Sequence, residues 1–489
     1  MGVAELKYGS WNKLFIGGSY VEGSSNTVYE NTNPYNGEVL ARIKLASRAD
    51  VDAAYKAAQK AQPEWENTPA AAKAQVMEKA AQILAERRDE VVKLLMEEGG
   101  SSVIKANIEV DLCIGLIKET ATFPFRLRTE IVPSVIPGKE NRIYQAPVGV
   151  VGIISPWNFP LYLSMRSVAV ALAVGNGVVL KPDIQTYISG GLFIADLFEQ
   201  AGLPKGVLNV IVADLAEIGD AMIEHPVPRL ISFTGSSAAG KHIAKVAGEN
   251  LKKVALELGG NSAFIVLDDA DLEQAASAGA FGKFIHSGQV CMAVNRFIVD
   301  RKVYPQFVEI LKKKAAIIKA GDQLEEGTFI GPLINGNQVA KVQGFIKNAV
   351  EEGATVVLEG SVNGNVITPY ILTDVRKDMT ILQNEIFGPV AVIVPVDGEE
   401  EAIEVANNTR YGLSSAVFTG DLERGVRVAR RIQTGMVHVN DQPVQDEPHV
   451  VFGGEKESGL GRINGRWALE TYTTYKWISV QQQTRPYPF

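Results

Sequence analysis

The feature that most constrains the fold is an almost unbroken apolar run at residues 148–155. A strand without a polar face must be covered on both sides, as in a parallel sheet with helices above and below it. Similar runs follow at residues 178–182, 207–212, 229–234 and 254–258, with helical patterns between them. This alternation predicts βαβ units and a doubly wound parallel sheet, which binds ligands beyond the carboxyl ends of its strands.

The same texture returns beyond residue 260, with predicted strands at residues 262–267, 295–300, 390–394 and 436–440. It predicts a second α/β domain. A chain of 489 residues exceeds one ordinary core, so two or three domains are expected.

The segments outside these two regions have other patterns. Short strands and hairpins are predicted for residues 12–45, which contain Gly-Gly, Asn-Pro and Asn-Gly turns. Apolar residues at three- and four-residue spacing predict helix over residues 48–98, and a further helix to about residue 120. Residues 472–489 are predicted to form an extended strand and arm.

Composition argues against several classes of partner. The net charge of −8 and the pI near 5.4 argue against nucleic acid and anionic membranes. The N-terminus has no secretory signal pattern, and the most apolar stretch, residues 167–180, is interrupted by glycine and too short to span a bilayer. Two cysteines make no disulfide framework, so a soluble protein of the reducing cytoplasm is expected.

Cys291 and Glu257 are the clearest candidates for chemistry. Cys291 has small and polar neighbours, whereas Cys113 lies in an apolar helical pattern typical of a buried cysteine. Glu257 ends an apolar run before two glycines, where an unpaired acid is costly and therefore suggests a function. A thiol nucleophile and a carboxylate base suit covalent chemistry on a carbonyl group.

Two further polar residues follow predicted strands. Asn158, in the turn Pro-Trp-Asn-Phe-Pro, could aim its amide at an oxyanion, or could simply be a turn residue. Lys181 ends the next strand, where a cation can reach the hydroxyls of a nucleotide ribose, although a surface lysine is the usual case.

The segment 233–242 links a predicted strand to a helix with glycines that let a phosphate approach the helix N-terminus. It nearly matches the phosphate loop of nucleoside triphosphatases, and Asp268-Asp269 resembles the acidic strand of such enzymes. His242 stands where a Ser or Thr would bind Mg²⁺, so a Mg²⁺-dependent triphosphatase is the weaker alternative. A metal site is not expected, since the five histidines have no paired spacing.

Taken together, the motifs closely resemble those of the aldehyde dehydrogenase superfamily. PWNFP, FTGSSAAG, ELGG, GQVC, NEIFGPV and FGGEKESGLGR occur in the expected order and span most of the chain. The resemblance implies an NAD(P)-binding domain at residues 1–124 and 147–259 and a catalytic domain at residues 260–458. It also implies an oligomerisation arm at residues 125–146 and 470–489, and hence a homodimer or homotetramer.

The resemblance assigns Cys291 as the nucleophile, Glu257 as the base for hydrolytic water, and Asn158 as an oxyanion donor together with the Cys291 N–H. It implies oxidation of an aldehyde to the free acid through a thiohemiacetal and a thioester. Lys181 and Ser236 would contact the adenine-side ribose and the pyrophosphate, and Glu385 and Phe387 the nicotinamide side. The full set of predicted cofactor residues is Ser155, Trp157, Lys181, Ile184, Gly235, Ser236, Gly240, Leu258, Glu385 and Phe387.

Two positions depart from the common family pattern. Many NAD-preferring members carry Glu where this chain has Ile184, so NAD is expected with NADP as an alternative. Many members also have Trp-Lys where this chain has Arg166-Ser167, which removes a lysine proposed to relay protons.

The sequence around Asn158 and Lys181 is similar to the benzaldehyde and vanillin dehydrogenase branch. The resemblance implies an aromatic substrate in a pocket formed by Phe159, Tyr162, Ile285 and Phe452. A CoA-acylating enzyme and an aliphatic or semialdehyde dehydrogenase remain the alternatives within the family.

Overall fold

The computed structural model describes residues 6–489. Residues 1–5, part of the first predicted domain and of the segment considered for a secretory signal, lie outside the described residues. The strands before residue 260 are β1 (Leu14–Ile16), β2 (Ser19–Val21), β3 (Val28–Thr32), β4 (Val39–Lys44), β5 (Thr129–Pro133), β6 (Lys139–Pro147), β7 (Val150–Ile154), β8 (Gly177–Lys181), β9 (Leu208–Val210), β10 (Leu230–Thr234) and β11 (Lys253–Glu257). The helices of this part are α1 (Arg48–Asn67), α2 (Ala70–Glu86), α3 (Arg88–Gly99), α4 (Val103–Thr120), α5 (Pro160–Ala173), α6 (Phe193–Ala201), α7 (Leu215–Ile218), α8 (Ala221–Glu224) and α9 (Ser237–Glu249).

The remainder of the chain has the same alternating character. Its strands are β12 (Ser262–Val266), β13 (Val294–Asp300), β14 (Thr355–Leu358), β15 (Val362–Asn363), β16 (Val366–Ile367), β17 (Tyr370–Thr373), β18 (Val390–Val396), β19 (Ser414–Phe418), β20 (Met436–Val439), β21 (Gly459–Leu460) and β22 (Thr473–Gln481). Its helices are α10 (Leu272–Phe284), α11 (Tyr304–Ala316), α12 (Gly336–Glu351), α13 (Thr380–Gln383), α14 (Gly398–Asn407), α15 (Leu422–Ala429) and α16 (Gly465–Tyr472).

The first sheet has the strand order β2-β1-β9-β8-β7-β10-β11-β21. Its five central strands, β9 to β11 in this order, are parallel, and antiparallel strands border them on both sides. The chain reverses its direction of winding between β7 and β10. Such a switch point opens a crevice at the carboxyl ends of the strands.

The second sheet has the order β14-β17-β18-β13-β12-β19-β20 and is parallel except for β14. β11 ends at Glu257 and β12 begins at Ser262, so the chain passes directly from one sheet to the other. The amino ends of β12, β13 and β18 therefore face the carboxyl edge of the first sheet. Two doubly wound α/β sheets confirm the predicted fold class.

A third sheet, with the order β22-β6-β5, is antiparallel. Its strands come from the two segments that were predicted to form the arm. Every residue of β5 is exposed, and so are Trp477 and Ile478 of β22. The domain boundaries given above stay a prediction.

The N-terminal hairpins agree with the sequence, since β1 pairs with β2 and β3 with β4. The single helical stretch predicted over residues 48–98 is wrong in one respect, because the structure divides it into α1, α2 and α3. The first break falls at Thr68-Pro69, where proline removes a backbone donor and disfavours helix in the preceding residue. Within residues 6–489 no helix combines the length and apolarity needed to cross a membrane.

Candidate active site

A cleft of about 650 Å³ opens where the carboxyl edge of the first sheet meets the amino edge of the second. It follows β7 at Trp157, β10 at Gly235 and β11 at Leu258, and its opposite wall carries Cys291 and Glu385. The complete lining is Pro156, Trp157, Asn158, Leu163, Thr234, Gly235, Ser236, Leu258, Gly259, Cys291, Gln338, Lys341, Glu385 and Phe387.

A second cavity, of about 620 Å³, lies on the other side of Cys291 and is mainly apolar; we call it the tunnel. It shares Cys291, Asn158 and Leu163 with the cleft. The tunnel is lined by Lys105, Ile108, Leu112, Asn158, Phe159, Tyr162, Leu163, Arg166, Phe281, Ile285, Val290, Cys291, Met292, Val444, Asp446 and Phe452. All four predicted substrate residues are among them.

A strained turn precedes Cys291. His286, Ser287 and Gly288 have φ values of 49°, 57° and 75°, a left-handed conformation that is costly for His and Ser. The Ser287 hydroxyl donates to the carbonyl of Gly331 at 2.8 Å, and a Cβ on Gly288 would overlap the carbonyl of Gly388. Contacts with distant parts of the chain therefore hold the turn at residues 286–288 in place.

Asn158 is tied to the same turn. It is 5% exposed, and its Nδ2 donates to the carbonyl of Gln289 at 3.0 Å. The Gln289 side chain in turn accepts the N–H of Ile334 at 3.0 Å. An amide carries two hydrogens, so Asn158 keeps one for an oxygen bound beside Cys291.

The surroundings of Cys291 favour the protonated thiol. Burial raises its pKa to about 12, the carboxylate of Glu385 adds to the shift, and the Arg166 guanidinium opposes it. Reaction as a thiolate therefore requires a proton acceptor or a nearby positive charge.

Glu257 is suited to accept a proton near neutral pH. It ends β11, is 6% exposed, and its Oε2 has no hydrogen-bond partner among the described residues. Burial raises the pKa of this carboxyl to about 7, while Arg166 opposes the shift. A carboxylate with such a pKa is a stronger base than an exposed one.

Glu385 faces the cleft from the loop before β18. Its Oε1 accepts the N–H of Gly260 at 2.9 Å, and burial raises its pKa to about 7. Its Oε2 adds acceptor capacity in the cleft, as ribose hydroxyls require. Trp157 packs edge-on against Phe387, with ring centroids 5.5 Å apart.

The N-terminus of α9 also opens into the cleft. Ser236 caps this helix by accepting the N–H of Ala239, and a helix N-terminus favours an anion. Glu385 at one end of the cleft and this helix at the other fit the ribose and pyrophosphate of a dinucleotide.

Some predicted cofactor residues do not line this cleft. The Ser155 hydroxyl forms a hydrogen bond with the Ser164 hydroxyl at 2.6 Å. Gly240, on α9, has no side chain and so leaves room for the side chain of Leu258. Lys181 and Ile184 lie at and beyond the carboxyl end of β8, next to β7 in the sheet. Burial lowers the pKa of Lys181, and nearby Asp183 and Asp214 oppose that shift.

The residues of the triphosphatase alternative do not come together. Asp268 follows the carboxyl end of β12, whereas the cleft lies at the amino end of that strand. Asp268 is paired with Lys302 and Arg424, and His242 is bonded to Asp220. Among the residues described here, no group of three or more His, Cys, Asp or Glu side chains is placed to hold a metal ion.

Comparison with known proteins identifies this arrangement. Residues 20–478 match the model of the aldehyde dehydrogenase family. The chain belongs to the aldehyde dehydrogenase family. It is 51% identical to a benzaldehyde dehydrogenase of Bacillus subtilis (strain 168), over 99% of this chain and 100% of that protein. It is 50% identical to a vanillin dehydrogenase of Corynebacterium glutamicum, over 96% and 98% of the two chains.

A solved structure described as an NAD-dependent benzaldehyde dehydrogenase from Corynebacterium glutamicum superposes on this aldehyde dehydrogenase with a TM-score of 0.90. The two chains are 46% identical, and 98% of each is covered. The predicted family and its branch are thereby confirmed.

Sequence reasoning missed two buried ion pairs along the tunnel of this aldehyde dehydrogenase. Lys105 bonds to Glu109 at 2.5 Å on α4, and its ammonium lies 4.2 Å from the ring centre of Phe159. Arg166 donates to Asp446 at 3.1 Å. An acid and a base four residues apart in the apolar helix α4 were a visible signal, whereas Arg166 and Asp446 are far apart in sequence.

The close contact between Gly260 and the Cys291 backbone allows a test of where the structure places Cys291. Its backbone is not left-handed, but a Cβ there would overlap the carbonyl oxygen of Cys291. Gly260→Ala should therefore displace the backbone at Cys291 and lower kcat by about a hundredfold. Gly248→Ala is the matched control, because a Cβ at that helical position meets no atom within 4 Å. It should leave kcat unchanged and raise the melting temperature slightly. Equal kcat values in both variants would contradict the placement of Cys291.

Proposed function

We propose that the protein is an NAD-dependent dehydrogenase that oxidises aromatic aldehydes to free carboxylic acids. The observation that carries this proposal is the position of Cys291 between two cavities. One is the cleft, where Glu385 can accept hydrogen bonds from a ribose and the N-terminus of α9 favours a phosphate; the other is the apolar, aromatic tunnel. The names of the benzaldehyde and vanillin dehydrogenases reported above support the substrate class.

In the acylation half of the reaction, the Cys291 thiol releases its proton to solvent, and the sulfur attacks the aldehyde carbon. The resulting thiohemiacetal oxygen is stabilised by the free hydrogen of the Asn158 amide and by the Cys291 N–H. A bound NAD supplies the acceptor for the hydride that leaves this carbon. Cys291 then carries a thioester.

In the second half, Glu257 accepts a proton from a water molecule, which adds to the thioester carbonyl. Release of the acid restores the thiol. A carboxyl with a pKa near 7 suits this role, since it is a base at neutral pH and returns the proton readily. Retention of this acid favours water over coenzyme A as the acyl acceptor.

The tunnel suits a flat ring. Phe159, Ile285 and Phe452 give it apolar and aromatic walls next to the sulfur. Its charges are paired, since Asp446 accepts from both Arg166 and the Tyr162 hydroxyl, at 3.1 and 2.9 Å. A neutral aromatic aldehyde therefore enters without having to bury an unpaired charge.

NAD is the proposed cofactor, with NADP as a weaker alternative. Ile184 cannot repel a 2′-phosphate, and Lys181 lies close by. Asp183, however, is engaged in capping the turn, where its Oδ1 accepts the N–H of Gln185 at 2.9 Å. Its charge still faces Lys181, which limits the attraction for a second phosphate.

We also infer a homodimer or homotetramer assembled through the arm, since β5 and β22 expose Ile131, Val132, Trp477 and Ile478. A cytoplasmic location agrees with a mechanism that needs the Cys291 thiol reduced. The residue limits given above for the two domains and the arm belong to this proposal.

The function is tested by following the absorbance of reduced cofactor with benzaldehyde or hexanal and NAD. We expect kcat/KM for benzaldehyde to exceed that for hexanal by about tenfold or more, because only the ring fills the aromatic tunnel. Cys291→Ala should abolish turnover, whereas Cys113→Ala, which alters the other thiol, should retain it. Preference for hexanal, formation of acyl-CoA, or phosphate release from ATP without aldehyde oxidation would overturn the proposal.

The buried base predicts the pH dependence. Below the pKa of about 7, Glu257 is protonated and cannot accept a proton, so kcat should rise as pH increases through that value. Glu257→Gln should remove this rise and leave an acyl-enzyme that intact-mass measurement detects. Glu98→Gln is the control, because burial raises the pKa of this carboxyl to about 7 as well, yet Glu98 does not line the cleft. A wild-type profile in Glu257→Gln would exclude the assigned base.

Cofactor selection is tested at position 184. Ile184→Glu should place a carboxylate beside the adenine-side ribose and disfavour NADP relative to NAD by about 1–3 kcal/mol. Ile184→Gln has nearly the same shape without the charge and should change the ratio little. The measurement is kcat/KM for both cofactors in all three proteins. An unchanged ratio in Ile184→Glu would point to Asp183 as the selective residue.

A further inference from the structure

We infer that Asn295 is a positioning residue that couples occupation of the cofactor site at Glu385 to the placement of the Cys291 sulfur. The inference rests on the proposed roles of Cys291 and Glu385. It concerns how the two halves of the site act on each other, beyond the reaction itself.

Asn295 holds the backbone on both sides of Glu385. It lies at the start of β13, shortly after Cys291, and is 4% exposed. Its Nδ2 donates to the carbonyl of Asn384 at 2.8 Å, and its Oδ1 accepts the N–H of Ile386 at 3.3 Å. The Asn295 side chain thus supplies the backbone hydrogen bonds that a neighbouring strand would otherwise give to the loop carrying Glu385.

A second amide joins the same junction. The other hydrogen of Asn295 Nδ2 goes to Asn261 Oδ1 at 2.6 Å. Asn261 Nδ2 donates to the carbonyl of Leu382 at 3.0 Å and to the Thr409 hydroxyl at 3.1 Å. We call Asn261 and Asn295 the amide pair. It connects the segment after Glu257 and the segment after Cys291 with the loop that carries Glu385.

The junction between the amide pair and the Glu385 loop is fully hydrogen-bonded and closely packed. All four N–H donors of the amide pair are used, and a buried donor that loses its partner is costly. Gly260 donates to Glu385 Oε1, while a Cβ at Gly259 would lie 2.8 Å from Glu385 Oε2. A shift of Glu385 on binding a ribose therefore moves the amide pair, and with it the backbone that leads to Cys291.

A merely structural role for Asn295 predicts something different. Loss of the amide would then lower stability and leave the response of the thiol to NAD intact. The coupling role predicts that NAD still binds but no longer affects the thiol. The rate of Cys291 alkylation distinguishes the two, and it needs no aldehyde and no turnover.

The experiment measures alkylation of Cys291 by iodoacetamide, located by peptide mass, without NAD and at saturating NAD. In the wild type, NAD should change the rate by about fivefold or more, in either direction. In Asn295→Ser, the change should fall within about twofold at NAD concentrations that calorimetry shows to be saturating. Asn209→Ser is the matched control, because Asn209 is fully buried and bonds to Gly17, Val178 and Gly206 in the first sheet. It should keep the wild-type response.

Melting temperatures would reveal whether Asn295→Ser fails to fold. A second variant, Asn295→Asp, tests the inference in that case. Asn295→Asp keeps the acceptor for Ile386 and the size of the side chain but loses both donors, so it should also uncouple. A wild type without any NAD effect, a full response in the folded Asn295 variants, or an equal loss in Asn209→Ser would overturn the inference. Turnover by Cys291→Ala would instead refute the proposed function.

Discussion

The short passage from β11 to β12 is the constraint on which the rest of the site depends. One strand ends at Glu257 and the next begins at Ser262, so the carboxyl end of β11 and the amino end of β12 lie close together. The carboxyl edge of the first sheet therefore lies next to the amino edge of the second. Residues that start from different edges, such as Cys291 and Glu385, meet in one place because of this passage. Glycines at positions 259 and 260 give the room that such close contact requires.

Burial at this junction also sets the chemistry. Removal from water raises the pKa of Cys291, Glu257 and Glu385 together, and ionisation of one group opposes ionisation of the others. Arg166 opposes the shift at both Glu257 and Cys291, and Asp446 partly neutralises its charge.

Local pattern was enough to predict the sheets, because a strand covered on both faces has an apolar run that little else produces. It also singled out Cys291, Glu257 and Asn158 as candidates, because they follow or precede strand ends within recognisable motifs. It did not find Asn295 or Asp446. The hydrogen-bond partners of these residues lie on other segments of the chain, and an asparagine or aspartate near a strand end or in a loop has many ordinary uses. The division of residues 48–98 into three helices was missed for the converse reason, since apolar spacing continues across the breaks.

The turn of left-handed residues before Cys291 has a consequence for folding. His286 and Ser287 would not hold such a conformation alone, and the contacts that stabilise it come from Gly331 and Gly388. Those partners join the turn only after sequence-distant parts of the chain have assembled. A partly folded chain thus contains an ordinary cysteine without the neighbours that direct its attack. Cys291 therefore gains these neighbours only together with the complete tertiary structure.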